Sequence, residues 1–279
     1  MKHCRLSESL LVLALFFVLA AAFFARALFT GAVLLPLDDL FLYPPWRDHA
    51  AEFGVGVPNN HLIADTILQN YSWKALAASA YAAGQFPLWN PYILAGQPFL
   101  AGGQNGSLYP PGVLYYLLPN GQAYAWFIVL HLALGGVLTY WFARVLGGSR
   151  FGGLVAGTTF AFCGCLIVSV LWPMVISTAI WLPGLLAVIE LVVRVRERWN
   201  GLPLVLLGAG IVTMQFLAGH LEMSLYLLLT AGLYAGLRLV GQVRVGPVGA
   251  RFVASPAARD RGAMNCAPTI AGRLSSVVR

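Results

Sequence analysis

Long apolar runs separated by short polar connections dominate the chain, and this pattern predicts helices that cross a membrane. A run of about 20 apolar residues spans the ~30 Å hydrocarbon core of a bilayer, and Gly and Pro within such runs are tolerated. Six such helices are predicted, at about residues 10–29, 124–145, 151–171, 174–193, 203–217 and 221–239. The fold class we expect is an all-α, polytopic transmembrane bundle of about six helices.

One long polar segment, residues 36–122, separates the first predicted helix from the second. It carries Asp38, Asp39, Asp48, Glu52 and Asp65, and a dense run of Trp, Tyr, Pro, Gly, Asn and Gln. The chain then divides into a cytoplasmic N-terminus with the first helix (1–35), a loop subdomain with short helices (36–122), a five-helix region (123–240) and a basic tail (241–279). Any chemistry of the protein is expected in the loop.

The first apolar run also has one feature of a secretory signal peptide, because residues 25–27 read Ala-Arg-Ala and resemble a cleavage site. The run resumes after Arg26 and continues to Leu35, which is long enough for a membrane helix. An arginine at this position can extend its charged end toward the membrane interface. We therefore expect an uncleaved first helix with a cytoplasmic N-terminus.

The short connections alternate in charge, and this alternation predicts the orientation of the helices. Cytoplasmic connections are enriched in Lys and Arg. Arginines lie beside or within the connections after the second, fourth and sixth helices: Arg144, Arg150, Arg194, Arg196, Arg198, Arg238 and Arg244. The connections 171–174 and 218–222 contain neither Lys nor Arg. The loop 36–122 is then extracytoplasmic, on the same side as the connection 218–222.

Composition indicates a membrane protein and argues against a nucleic-acid-binding protein. The chain is 59% hydrophobic and 10% charged, whereas a soluble domain is about 45–50% apolar and about 25% charged. The net charge of +7 comes from basic residues at the ends of apolar runs and in the tail, with no Lys/Arg stripe between aromatic residues. The tail, 241–279, is Arg-rich and lacks apolar periodicity, which predicts a disordered cytoplasmic segment.

Two adjacent carboxylates, Asp38 and Asp39, follow the first helix at the predicted outer face of the membrane. Such a pair can raise the pKa of one member, bind a divalent cation or supply a general base. The same residues also fit a structural role as a polar stop and helix cap. The sequence alone does not decide between these two roles. A divalent cation is the one cofactor that the pattern admits, and its ligands are unknown.

A further carboxylate, Asp65, precedes a helix predicted over 66–83 that lies along the membrane surface. Asp is a favoured N-cap residue, which gives it a structural explanation. At helical spacing, Gln69 and Trp73 would share its side of the helix. Lys74 and Arg47 are the Lys and Arg residues of the loop, and so the ones there suited to binding a phosphate.

An aromatic-rich stretch of the loop contains residues with special backbone needs. Residues 85–92 read QFPLWNPY and residues 96–99 read GQPF. Flat aromatic faces together with amide donors and acceptors suit a sugar. The candidate substrate-binding residues here are Trp89, Asn90, Tyr92 and Gln97. An ordered loop that rests on lipid headgroups would carry the same aromatic residues, and this alternative stays open.

Two ionisable residues, His220 and Glu222, occupy the connection between the fifth and sixth helices. Ionisable groups at membrane depth are costly and often functional, but at an interface the cost is small. Both residues are candidates for substrate binding, beside an equally simple structural role. Glu190 lies close to a basic connection, and we expect it to pair with Arg194 one helical turn away.

Four stretches of the chain together resemble the bacterial YfhO-like membrane proteins, which belong with the GT-C type of multi-pass glycosyltransferases. They read ADTILQNYSW, GQFPLWNPYILAGQPFLA, SLYPPGVLYYLLP and LAGHLEMSLYLLL, and the resemblance covers about residues 36–239. The run 84–98 is its most specific part, and the GH-x-E run at 219–222 is weaker.

The resemblance implies a hexosyltransferase-class enzyme of the bacterial plasma (inner) membrane. Such an enzyme transfers a sugar from a polyprenyl-phosphate donor to a cell-envelope glycan or lipid acceptor. An aspartate of the first loop would activate the acceptor hydroxyl at the outer face, and Asp38, Asp39 and Asp65 (with Gln69 in a D-x-x-x-Q pattern) are the matching positions. GT-C enzymes have well over six membrane helices, so the resemblance also implies that this chain is an N-terminal fragment.

The alternative to an enzyme is a non-enzymatic membrane protein, such as a transporter or an envelope assembly factor, or an inactive fragment. A transporter is expected to carry ionisable or helix-breaking residues at mid-membrane depth, in paired positions. The charges of this chain cluster at the predicted helix ends, which favours the enzyme. Membrane lipid is an expected partner, and nucleic acid is not.

Overall fold

The computed structural model describes residues 2–195 and 201–244, and within these ranges the protein is mostly helical. The α-helices are α1 (Lys2–Phe23), α2 (Ala25–Phe29), α3 (Ser72–Ala82), α4 (Leu114–Leu117), α5 (Asn120–Val145), α6 (Arg150–Ala161), α7 (Gly164–Val168), α8 (Pro173–Ala179), α9 (Trp181–Arg194), α10 (Leu202–Leu217) and α11 (Leu221–Arg244). The predicted tail lies outside the described residues except for 241–244, which extend α11.

The loop 36–122 contains short elements and a small hairpin. Its 3-10 helices are Leu37–Leu42, Trp46–His49, His61–Ile63, Leu100–Gly102 and Pro110–Val113, and a π-helix at Thr66–Tyr71 leads into α3. Strand β1 (Trp89–Asn90) pairs antiparallel with β2 (Gln97–Pro98), so that Trp89 lies opposite Pro98. The predicted short helices are therefore present, and the hairpin is an addition to the all-α prediction.

Four helical segments are long and apolar enough to cross a membrane: Gly121–Val145, Arg150–Leu171, Pro173–Arg194 and Leu221–Gly241. They correspond to the second, third, fourth and sixth helices predicted from the sequence. The segments Ser7–Phe23 and Leu202–Leu217 are apolar but shorter. The described residues thus contain four candidate membrane spans, where the sequence pattern predicted about six.

Three of the predicted membrane helices are interrupted, where the sequence pattern predicted continuous helices. The first is interrupted at Phe24, between α1 and α2, and the third at Cys163, whose backbone is extended. The fourth has a turn at Ile180, between α8 and α9. Pro183 explains this last interruption, because its nitrogen cannot donate to the carbonyl four residues earlier and its ring crowds that carbonyl.

The core of the bundle is built around α5, which packs against α1, α6, α8 and α9. The fully buried ring of Phe16 lies between Gly136 of α5 and Gly157 of α6. A Cβ atom added to Gly136 would lie 2.7 Å from that ring, and one added to Gly157 would lie 2.5 Å from it. Small residues let membrane helices approach closely. Large apolar side chains such as Leu11 and Leu229 face outward, as expected next to lipid.

The helices alternate in direction, so the connections gather at two ends of the bundle. At one end, here named the loop end, the Thr66 hydroxyl donates to the carbonyl of Leu171 at 2.5 Å. At the other end, here named the basic end, Arg194 donates to the carbonyl of Val145 at 2.8 Å. The connections without Lys or Arg therefore share an end with the loop.

Glu190 is fully buried at the basic end and is held by three side chains. The Arg194 Nε atom donates to its Oε1 at 2.8 Å, which confirms the predicted pair. The Arg238 Nε atom and the Tyr234 hydroxyl donate to its Oε2 at 2.6 Å and 2.9 Å. The last two contacts join α9 to α11. They could not be predicted from the spacing of residues along the sequence.

Candidate functional site

Lys74 of α3 is buried at the loop end, with 7% of its surface exposed. Its ammonium group donates to the carbonyl of Asn105 at 2.5 Å and lies 5.0 Å from the centre of the Tyr115 ring. No carboxylate pairs with it among the described residues. Burial lowers the pKa of Lys74 to about 8, because a buried ammonium loses its hydration.

One side of the segment 66–82 is buried against the rest of the protein, and it includes polar side chains. Asn70, Lys74 and Ala77 recur at helical spacing, and all three are buried. The Tyr124 hydroxyl of α5 donates to the Asn70 Oδ1 atom at 2.6 Å. The predicted helix over 66–83 is therefore present as a π-helix followed by α3, and its packing on α5 places the Lys74 side chain inside the protein.

A small cavity of about 10 Å³ adjoins Lys74, which is room for one group the size of a water molecule. Its walls come from the segment 66–82, the rest of the loop, α5, α8 and the connection 218–222. They are Asn70, Lys74, Gly106, Tyr109, Tyr115, Phe127, Pro173, Met174, Ser177 and Ala218. Gly106 has φ +61°, and a Cβ there would lie 3.3 Å from the Lys74 Nζ atom, so glycine allows this close approach.

A chain of hydrogen bonds runs from this cavity into the bundle through Tyr109. The Trp181 Nε1 atom donates to the Tyr109 hydroxyl at 3.1 Å, and the hydroxyl lies 2.9 Å from the His131 Nε2 atom. The His131 Nδ1 atom lies 2.6 Å from the carbonyl of Phe127. A carbonyl can only accept, so Nδ1 carries the proton and Nε2 accepts from Tyr109. Burial raises the pKa of Tyr109, so its hydroxyl stays protonated and able to donate.

Sequence reasoning did not identify Asn70, Tyr109 or His131. His131 carried a usable signal, because it is an ionisable residue inside the apolar run of the second predicted helix. Such residues mark a functional site by default. Asn70 and Tyr109 carried none, since amides and aromatic residues are frequent throughout the loop.

The adjacent carboxylates Asp38 and Asp39 have different environments. Asp38 is half-buried, and its Oδ2 atom accepts from the backbone N–H of Asn59 at 2.9 Å and from the Asn59 amide at 3.0 Å. These bonds lower the pKa of Asp38, chiefly through the backbone N–H. Asp39 is fully buried in the 3-10 helix Leu37–Leu42. The structure therefore separates the pair into an accessible carboxylate and an inaccessible one.

Asp65 does not cap the following helix as the sequence pattern predicted. Its backbone is helical, with φ −56° and ψ −28°, and its side chain makes no cap hydrogen bond. An N-cap side chain reaches the first turn from extended backbone, which Asp65 lacks. Its Oδ1 atom instead accepts from the Gln69 Nε2 atom at 3.1 Å. Both residues are exposed on one side of the segment, as predicted for this pair.

The aromatic stretch folds as the β1–β2 hairpin, and its candidate residues differ in accessibility. Trp89 lies over Gly96, where an added Cβ would be 2.6 Å from the indole nitrogen. Asn90 is buried, and its Oδ1 atom accepts from the backbone N–H of Tyr92 at 3.0 Å. Trp89 and Tyr92 are exposed and Gln97 is half-buried. The hairpin thus offers two aromatic faces, whereas Asn90 has a structural role.

His220 and Glu222 both have structural partners at the loop end. The His220 Nδ1 atom accepts from the backbone N–H of Met223 at 3.1 Å, so His220 caps the start of α11. The Tyr226 hydroxyl donates to the Glu222 Oε1 atom at 2.6 Å. Neither His220 nor Glu222 lines the cavity beside Lys74.

Among the candidate residues, Lys74 alone lines this cavity, and Asp38, Asp39 and Asp65 lie outside its walls. No group of three or more His, Cys, Asp or Glu that could hold a metal ion occurs within residues 2–195 and 201–244. The cavity therefore has one cationic side chain on its wall, and the described residues bring no cation site to it.

Fold and cavity together define a helical membrane protein with a polar loop docked on one end of its bundle. Comparisons of the chain with protein-family models, with curated proteins and with solved structures find no match. The family resemblance rests on the four sequence stretches and stays a prediction.

Proposed function

We propose that the protein is a glycosyltransferase-like membrane protein that transfers a sugar from a polyprenyl-phosphate donor to a cell-envelope acceptor. The observation that carries this proposal is the buried Lys74 ammonium, which has three donors and one carbonyl partner among the described residues. A charge-assisted bond to a phosphoryl oxygen would satisfy it in the small cavity. The resemblance of four sequence stretches to GT-C type enzymes supports the same substrate class.

The proposal includes six membrane helices. The first is α1 continued by α2 to Phe29, and the fifth is α10, in addition to the four candidate spans. The N-terminus and the basic end are cytoplasmic, because short basic connections are retained on that side. The Lys74 cavity then lies at the outer face of the bacterial plasma membrane, where the phosphate of a lipid-linked sugar would be.

The general base of this transferase is one of Asp38, Asp39 and Asp65. A base must be ionised and within reach of the acceptor hydroxyl. Asp38 meets both requirements best, because its carboxylate is held by Asn59 and is partly exposed. Asp39 would need the loop to open, and Asp65 is occupied by Gln69. The exposed faces of Trp89 and Tyr92 would then contact sugar rings.

The test is transfer of a labelled sugar from a polyprenyl-phosphate donor in membranes that contain the protein. Asp38→Asn is expected to lower the rate by ~10²–10⁴-fold with expression retained, since Asn keeps the shape of the side chain. Asp39→Asn and Asp65→Asn are measured beside it. Asp48→Asn and Glu52→Gln, exposed acids of the same loop, should have little effect. Near wild-type transfer in all three key variants would show that the first-loop base is wrong.

The contact with phosphate is tested separately by Lys74→Met. Loss of a charge-assisted hydrogen bond worth ~1.5–3 kcal/mol weakens donor binding by about 10–100-fold. Arg47→Met removes an exposed cation of the same loop and is the matched control. Equal donor KM values in the two variants would contradict the role of Lys74.

Two observations favour a second candidate function, that of a transporter or assembly factor. His131 is fully buried within α5, and the third and fourth predicted helices are interrupted. Both are features expected of transporters. A transporter would move a labelled lipid-linked sugar across a vesicle membrane without forming a new glycosidic bond, so product analysis in the transfer assay distinguishes the two.

A further inference from the structure

A second, larger cavity lies in the first part of the loop, well apart in sequence from Lys74. It is an open groove of about 640 Å³, within the ~300–1,000 Å³ that ligand sites occupy. Its walls are mostly apolar and include Leu37, Phe41, Trp46 and Phe53. The Phe41 and Phe53 rings lie 5.5 Å apart. The volume and the apolar lining of the groove therefore suit an apolar ligand.

Several large apolar side chains of the groove are exposed, which is unfavourable for a loop that contacts only water. Phe53 is 71% exposed, and Leu37 and Trp46 are exposed as well. Contiguous exposed apolar surface of this kind marks a membrane contact or a binding groove. The loop thus carries an apolar surface with no partner in the described part of the chain.

This surface follows closely along the chain after the outward-facing apolar side chains of the first helical segment. Phe23 of α1, Phe29 of α2, Val33 and Leu37 follow one another along the chain and are all exposed. The outward side chains of α1 and α2 are the ones we assign to lipid contact. The groove begins at Leu37, eight residues after α2 ends at Phe29, so it lies close along the chain to the segment that we assign to lipid contact.

We propose that this groove holds an acyl chain of a bilayer phospholipid and so anchors the loop to the membrane surface. The ionisable residues on its wall are Asp38 and His49. The Asp38 carboxylate is already held by Asn59, so it does not interrupt the apolar lining. An anionic phosphate would be repelled by Asp38, which places the headgroup at the mouth of the groove and the chain inside. The inference goes beyond the transferase proposal, because it requires no reaction.

The test uses the purified protein in phosphatidylcholine nanodiscs doped with a phosphatidylcholine that carries a photoreactive diazirine in its acyl chain. After illumination, mass spectrometry measures label on residues 37–55 relative to label on α11. The key variant is Phe53→Glu, which places a charge in the groove. Val57→Glu is the matched control, because Val57 is 93% exposed in the same loop and does not line the groove.

Wild type and Val57→Glu should label residues 37–55, and Phe53→Glu should lose about tenfold or more of that label, since a charge is excluded from apolar surroundings. Label on α11 should not change. Equal labelling of the two variants, or no label on 37–55 in wild type, would overturn the proposal. Labelling by a photoreactive isoprenoid but not by the phospholipid would also overturn it. If Phe53→Glu does not fold, Trp46→Ser replaces it. No sugar donor is present, so the outcome is independent of transferase activity.

Discussion

The two ends of the bundle each bury a charged side chain, and the two side chains differ in the partners that surround them. At the basic end, the Glu190 carboxylate accepts from Arg194, Arg238 and Tyr234. At the loop end, the Lys74 ammonium has one carbonyl partner among the described residues, that of Asn105, and it adjoins a small cavity of about 10 Å³. The first charge has ionic partners, and the second has none in the part of the chain that the structure describes.

This difference distinguishes a buried charge with ionic partners from a buried charge without them among the described residues. A buried charge that is paired and hydrogen-bonded costs little while its partners stay in place. A buried charge without a counter-charge is costly, and proteins keep such groups where a ligand or a reaction needs them. We therefore expect Glu190→Gln to lower stability, and Lys74→Met to weaken binding without lowering stability at neutral pH.

The largest expected effect is that of Glu190→Gln. It removes the carboxylate but leaves two arginines, and breaking a buried pair in this way costs about 3 kcal/mol or more. The arginines are partly exposed and can turn to water, which places the cost at the lower end of that range. Thermal unfolding in detergent should show the loss.

The control for Glu190 is Glu52→Gln, which breaks the exposed pair with His49 and should leave the melting temperature close to wild type. Equal melting temperatures of the Glu190→Gln variant and wild type would show that the cluster does not stabilise the bundle.

The next effect is a rise of stability with pH that depends on Lys74. Its pKa is about 8 in the folded protein, below the ordinary lysine value of 10.5, so between these values the unfolded chain binds more protons. Stability then increases as pH rises from about 8 to 10.5, by about 2–3 kcal/mol. Below pH 8 the ammonium is charged in both states, and the full penalty of burial is present. Unfolding midpoints measured across this range should rise.

Lys74→Met removes the group that titrates and should flatten this pH dependence, because methionine carries no charge. The variant should also be at least as stable as wild type at pH 7. A rise of equal size in wild type and in Lys74→Met would assign the effect to other groups and would weaken the contrast with Glu190.

A smaller effect is expected from Tyr109→Phe. Loss of the hydroxyl leaves the Trp181 Nε1 and His131 Nε2 atoms without their partner, and a buried unsatisfied group costs about 1–3 kcal/mol. The unfolding midpoint should fall by less than in Glu190→Gln. Tyr226→Phe removes an exposed hydroxyl that bonds Glu222 and should change little. Equal midpoints for the two variants would show that the Tyr109 network does not stabilise the loop end.

An effect of similar size is expected from Gly219→Ala. Gly219 has φ +92°, and an added Cβ would lie 2.8 Å from the carbonyl oxygen of Gln104. A non-glycine residue in such a conformation costs about 1–3 kcal/mol, and the backbone at Gln104 would also have to move. Gly210→Ala in α10 meets no atom within 4 Å and should be neutral or slightly stabilising. Comparable stability of both variants would mean that the fifth-to-sixth connection is not docked tightly on the loop.

The sequence by itself determined the helical membrane character of the protein and the grouping of its basic connections. Both depend on local properties, since an apolar run of sufficient length favours a helix in lipid wherever it occurs. The Glu190–Arg194 pair was predictable for the same reason, because four-residue spacing on a helix brings side chains together. Lys74 was identified as a phosphate-binding candidate from its charge alone.

Tertiary structure decided which of these residues share a site. The cavity beside Lys74 combines Asn70, Gly106, Ser177 and Ala218, which only the packing of the loop on the bundle brings together. Tertiary structure also gives two neighbours in sequence different environments, since Asp38 is accessible and Asp39 is not. Burial and pairing of a charge depend on every segment around it, and the pattern of one segment does not contain that information.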